Sequence, residues 1–222
     1  MSDHQSRSYI PVAKPVIGEL ETDYVLKAIR KGEVSSRGRF VTEFESRFAK
    51  RVGAEKARQL RDRGSDPNRR YRHPVIEPNY RMPNLQAALG VAQLEQMDLF
   101  LQRRKEIALS YQRRFTGVSE IKLQLEETWA KPVAWMVSIL VNASIRDSLM
   151  KSLQEKDIET RPFFYPIQTM PAHWDENANC PISESVSSQG INLPSGVPLT
   201  NGDIDRVSSA VCDFLSKEHI LR

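Results

Sequence analysis

Long apolar runs, closely spaced cysteines and glycine-rich loops are all missing from this chain of 222 residues. No stretch approaches the roughly 18 apolar residues of a membrane helix, so no membrane span is expected. The opening residues, MSDHQSRSYIPVAKP, are polar and hold no signal-peptide core. The two cysteines, Cys180 and Cys212, form no metal-type pair and point to reduced thiols in a cytoplasmic protein. Neither kind of glycine-rich nucleotide-phosphate loop is present. His4, His73, His173 and His219 are scattered without ligand spacing, which leaves no metal site to expect. Ser35 and Ser36 would need a neighbouring base to act as nucleophiles, and none is suggested; a turn or cap is the simpler role.

What is present is the composition of a globular domain. The 40% hydrophobic and 27% charged content suffices for a core in a chain this long. The formal net charge of +4 is mild, and only residues 58–72, with six arginines, concentrate it. A nucleic-acid binder gathers its excess charge on one element, so this segment is the one candidate for an acidic partner.

Residues 16–31 place Leu20, Tyr24 and either Lys27 or Ala28 on one helical face, with Gly32 as the stop. A second helix is expected over VTEFESRFAKRVGA, with Phe44, Phe48 and Val52 in line. A long helix from about Pro83 to Phe115 follows from Leu94, Met97, Leu101, Ala108, Tyr111 and Phe115. Pro83 suits its first turn, and Gly90 marks a close approach to a neighbouring helix. Beyond it, IKLQL, VAWMVSILV and IETRPFF read as strands, the last broken by Pro162 and Pro166. SIRDSLMKSLQEKD reads as an amphipathic helix opened by Ser144, and TNGDIDRVSSAVCDFLSKE as a closing helix. Such a mixture folds as a small α+β domain.

The segment from IPVAKPVIGEL to VGAEKA resembles the N-terminus of the DegT/StrS-type (DegT/DnrJ/EryC1/StrS) aminotransferases, pyridoxal-phosphate enzymes that aminate keto sugars carried on nucleotides. The run LRDRGSDPNRRYRHPVIEPNYRMPNLQAALGVAQLEQMD is similar to the region after their cofactor lysine. WMVSILV, IETRPFFYPIQTMP and SSQGINLPSGVPLT are similar to their C-terminal domain. NYRMPNLQAALG together with RPFFYP is the specific pair. The resemblance implies an α/β fold, retained here as α+β: a remnant of the pyridoxal-phosphate-dependent transferase fold type I. It would keep the N-terminal helices, the long interdomain helix and the C-terminal small domain, without the parallel sheet of the large domain. In chain order the segments are 1–57, the N-terminal helical part; 58–82, the arginine-rich loop; 83–116, the long helix; and 117–222, the small domain.

By the same resemblance, well over a hundred family residues have no counterpart between Ala57 and Arg58. They would carry the turn that cradles the cofactor phosphate, the aspartate beside the pyridine nitrogen and the Schiff-base lysine. None of the eleven lysines sits in the family's glycine-rich context. Lys56 is the nearest substitute, but it lies among arginines rather than in a site that would lower its pKa. The resemblance therefore implies no catalytic residue, and pyridoxal phosphate not bound covalently by this chain. The apolar faces of the three N-terminal helices should be partly bare.

The resemblance offers Asn79, with Arg81 beside it, as donors to the cofactor phosphate of a neighbouring subunit; both could equally shape the turn into the long helix. It places Ser35, Ser36 and Arg37 in the loop lining the sugar-nucleotide pocket, and Arg161, Phe163 and Phe164 in the strand that closes it. Strand-end packing is the plainer role for the two phenylalanines. The family usually has Trp where Glu33 stands and His where Gln168 stands. Three functions are left: a truncated aminotransferase inactive alone, a partner subunit of a full-length homologue, and a basic module for an acidic partner. The family reaction would move an amino group from glutamate to a GDP- or dTDP-4-keto-6-deoxyhexose. A nucleotide-sugar substrate and a homodimer or heterodimer with a full-length homologue are the implied partners; neither membrane nor nucleic acid is.

Overall fold

The computed structural model describes residues 8–36, 38–53, 81–124, 128–174 and 177–220. The arginine-rich loop and Lys56 lie outside these residues, as do Arg37 and Asn79. Helices and a small sheet divide the chain into two compact units. Residues 17–99 form one, and residues 1–16 with 100–222 form the other.

The first unit holds α1 (Glu19–Arg30), α2 (Arg39–Val52) and the first half of α3 (Asn84–Phe115). Its described core is small: Ala28, Phe40, Val41, Ala87, Ala88 and Val91. The buried stripe of α3 here is made of alanine and valine, while the expected Leu94, Met97 and Leu101 are only half-buried. Small side chains let the helices approach, and Gly90 shows how closely. A Cβ there would come within 2.5 Å of the Phe44 ring, which is the contact expected of that glycine. Further along the same stripe of α2, Phe48 and Val52 are 44% and 52% exposed, a bare apolar stretch.

The larger unit is an antiparallel sheet with helices on one face. Its strands are β1 (Lys122–Leu123), β2 (Val137–Leu140), β3 (Arg161–Pro162) and β4 (Gly190–Leu193), in the order β1-β2-β4-β3. The α4 (Ala143–Gln154) and α6 (Asn201–Ile220) helices pack with the second half of α3 on Val137, Ile139, Ile191 and Leu193. A short helix, α5 (Pro181–Gln189), leads directly into β4. Two expectations need correction. The strand expected over IETRPFF shrinks to two residues, because Pro162 and Pro166 cannot donate to a ladder. The cap of α4 is Asn142, whose Oδ1 accepts from the Ser144 amide at 3.0 Å, and not Ser144 itself. The central strand β4 and helix α5 had no periodic signal.

Candidate functional site

Alternation along a strand sends successive side chains to opposite faces. In β2 and β4 the odd-numbered residues enter the core, so Ser138, Leu140 and Asn192 must look the other way. Register sets Ser138 opposite Asn192, and Arg161 opposite Asn192 on the other side. Ser138 Oγ donates to Asn192 Oδ1 at 2.7 Å. This open face is the floor of a cleft of about 1470 Å³.

Two elements raise walls on the floor. After β3, Phe163 lies across Gly190, whose missing side chain makes the room: a Cβ would come within 2.2 Å of the ring. The next residues, Phe164 and Tyr165, are 82% and 73% exposed, and Ser187 Oγ fixes the loop by donating to the Phe164 carbonyl at 3.0 Å. The opposite wall is the approach to β2, where Ala134 adopts a left-handed φ of 50° and Trp135 stands 63% exposed. Arg104 donates to the Trp135 carbonyl at 2.6 Å, and the buried Ser195 hydroxyl accepts from the Val137 amide at 2.8 Å. Aromatic faces over a hydroxyl-and-amide floor can stack on a flat ring and hydrogen-bond its edge. Among the described lining residues Lys122 carries the only charge, so the cleft offers grip and no acid–base pair.

The expected site residues thus divide between the units. Phe163 and Phe164 line the cleft, and Arg161 adjoins it on β3, where its guanidinium pairs with Glu159 at 3.3 Å. Ser35, Ser36 and Arg81 belong to the first unit. Ser35 is exposed, and its carbonyl accepts from the Asn84 amide at 2.7 Å. Asn84 organises this loop and was not singled out in the sequence. It is fully buried, donates from Nδ2 to the Glu33 carbonyl at 2.7 Å, and accepts at Oδ1 from the Val41 amide at 3.1 Å. It therefore caps α2 from another helix. Its position directly after Pro83, at the start of α3, was the available signal. The two positions at which the resemblance expects other residues are placed as well: Glu33 accepts from the Arg39 amide at 3.3 Å, and Gln168 is buried with Nε2 3.4 Å from Glu184.

Described residues do not supply what a covalently held pyridoxal phosphate needs. No described lysine is buried. The one buried carboxylate among the described residues, Glu21, is already taken by the Gly18 amide at 2.8 Å and by Gln93 and Gln96 at 2.5 and 2.6 Å. Burial alone would push its carboxyl up. The hydrogen bonds from the Gly18 and Glu21 amides and the two glutamines outweigh burial and hold it below the usual range. Among the described residues no cluster could hold a metal ion, and no helix is long and apolar enough to cross a membrane.

Residues 52–212 match the profile of the DegT/DnrJ/EryC1/StrS aminotransferase family. The chain is 39% identical to the GDP-perosamine synthase of Escherichia coli O157:H7 over 158 residues, which are 71% of this chain and 43% of that protein. Against the GDP-perosamine synthase of Caulobacter vibrioides it is also 39% identical, over 73% of this chain and 45% of the relative. The fold is similar to that of Streptomyces venezuelae DesV, crystallised with a ketimine intermediate, at a TM-score of 0.65 and 28% identity over 72% of this chain and 43% of that one. It is similar also to the aminotransferase TlmJ of Streptoalloteichus hindustanus, at 0.68 and 22% over 75% and 45%. The matched stretch spans less than half the length of these relatives.

Proposed function

The chain belongs to the DegT/DnrJ/EryC1/StrS aminotransferase family, and from that premise we propose that it is a truncated nucleotide-sugar aminotransferase of the perosamine type, inactive alone. The parent reaction is amino transfer from glutamate to C4 of a GDP- or dTDP-4-keto-6-deoxyhexose, in the cytoplasm. The cofactor-binding middle of the family chain is absent between Ala57 and Arg58. One observation carries the reading: among the described residues no lysine is buried, and the one buried carboxylate is committed to holding helices together. The cleft around Phe163, Phe164 and Trp135 is the remaining place for the sugar nucleotide, with Arg161 at its edge. By the family resemblance, Ser35, Ser36 and Arg37 would line a sugar-nucleotide pocket in a complete enzyme, and Asn79 with Arg81 would serve the phosphate site of a neighbour.

A second reading is favoured by the bare apolar surfaces, Phe48 and Val52 in one unit and Trp135, Phe164 and Tyr165 in the other. Such surfaces suit a partner subunit that lends residues to a full-length homologue. Pyridoxal phosphate followed by borohydride, with peptide mapping, tests the main reading. No lysine should carry a stoichiometric adduct; one that does, Lys56 included, overturns it. Appearance of the adduct only on a co-purified homologue would select the second reading.

A further inference from the structure

The larger unit contains a guest. Its continuous chain runs from Phe100 onward, yet residues 1–16 belong to it as well, although the chain between them builds the other unit. Residues 8–14 lie in a seat, bridged at Ile10 and bent at Val12. Ile10 donates to the Asp157 carbonyl at 2.9 Å and accepts from the Glu159 amide at 2.9 Å, a parallel bridge beside Ile158. The Val12 amide donates to Glu159 Oε2 at 3.1 Å, and the Val12 carbonyl accepts from the Ser195 amide at 2.9 Å. Arg206 reaches the Ser8 carbonyl at 2.5 Å and, with its other nitrogen, the Lys156 carbonyl at 2.5 Å.

Side chains follow the period of two that an added strand shows. Ile10 and Val12 are 3% and 1% exposed, Ile10 within the core of the unit, while Tyr9 is 59% exposed. At the far end Gly196 lets the backbone pass: a Cβ there would stand 3.2 Å from the Lys14 amide and 3.3 Å from the Ala13 Cα. Main-chain bonds for affinity, alternate pockets for specificity and one close backbone approach are the parts of a site that receives an extended peptide.

We propose that residues 8–14 are an exchangeable strand, and that the seat accepts this segment from a second copy of the chain as well as from its own. Every contact that holds it is to residues remote in sequence, so a segment from another copy makes the same contacts. Exchange of an identical element costs only the rearrangement of its linker. Here the linker is the irregular run from Pro15 to Gly18, stiffened by its proline. Residues of the seat are fixed from four places, the turn after α4, the approach to β3, the turn after β4 and α6, so the seat does not need the guest's covalent attachment.

Isotopically heavy and light chains, mixed at roughly millimolar concentration to match an intramolecular segment, test this by native mass spectrometry. One sample is co-refolded and one is held folded throughout. Mixed heavy–light dimers are expected in the co-refolded sample, and excess free peptide SYIPVAK should deplete them about tenfold or more. The same peptide with aspartate in place of the Val12 equivalent should leave them intact. Monomers alone in both samples would overturn the proposal, and so would dimers that ignore the free peptide.

Discussion

The two units solve the same packing problem with different materials. In the larger unit, twenty described residues form a continuous apolar core that includes Tyr111, Ile139, Leu149, Leu153, Ile191 and Leu193. In the smaller one the described core has six members, three of them alanine. The smaller unit is held by polar devices instead: Asn84 fixing a loop and a helix end, Glu21 gathering three donors, and surface pairs such as Arg47 with Glu95 and Arg51 with Asp98. Exposed pairs of that kind contribute about 0.2–1 kcal/mol each at most. The comparison teaches that helices can be held by burial in one place and by a few irreplaceable hydrogen bonds in another. Substitutions should therefore hurt the two units through different mechanisms.

The largest effect belongs to the apolar core. Leu149, on α4, is fully buried among β-branched and leucine side chains. Leu149→Ala removes its buried methyls and leaves a cavity that the sheet cannot collapse into, at a cost of about 3 kcal/mol. Hydrogen exchange on peptides from 137–153 should accelerate strongly, while peptides from 19–52 should change much less. Equal acceleration in both would show that the units unfold as one and would erase the distinction.

In the smaller unit Asn84→Ala should cost about 2 kcal/mol. It strands the Glu33 carbonyl and the Val41 amide together, since the side chain serves both. Asn84→Asp separates the two bonds: it retains the acceptor for Val41 and loses the donor for Glu33, so it should fall between wild type and alanine. Urea titration followed by circular dichroism measures the series. An alanine variant as stable as wild type would mean that water replaces both bonds without penalty.

What was legible in the sequence follows the same division. Helical periodicity located α1, α2, α3, α4 and α6, because long amphipathic stripes repeat their signal several times. Four residues such as Gly190–Leu193 repeat nothing, and the central strand went unseen. Buried polar side chains were also illegible: Glu21 and Asn84 look like surface residues until their partners, 72 residues away for Glu21 and 43 for Asn84, are known. Phe163 and Phe164 reached the cleft through family resemblance rather than through spacing. Trp135, Ser138 and Asn192 were not singled out in the sequence: strand pairing brings Ser138 and Asn192 together on that face, and Trp135 stands just before β2.

Glu21 gives the smallest and most diagnostic effect. Its carboxyl is held below the ordinary value of 4.5 in the folded protein, by hydrogen bonds that overcome its burial. A group depressed on folding contributes its stability above its unfolded pKa and loses that contribution as pH falls through the folded one. The smaller unit should therefore be steady from neutral pH to about 5 and weaken progressively below 4.5. Glu21→Gln retains the size and one acceptor of the side chain but no charge. It should cost about 1 kcal/mol at pH 7, and the difference from wild type should shrink as pH falls below 4.5. Leu149→Ala should show no such convergence, because a cavity does not titrate. Denaturant midpoints of the three proteins at pH 7, 5 and 3 decide the matter. A constant gap between wild type and Glu21→Gln across that range would mean that the carboxylate's charge does not hold α1 to α3, and that its shape alone does.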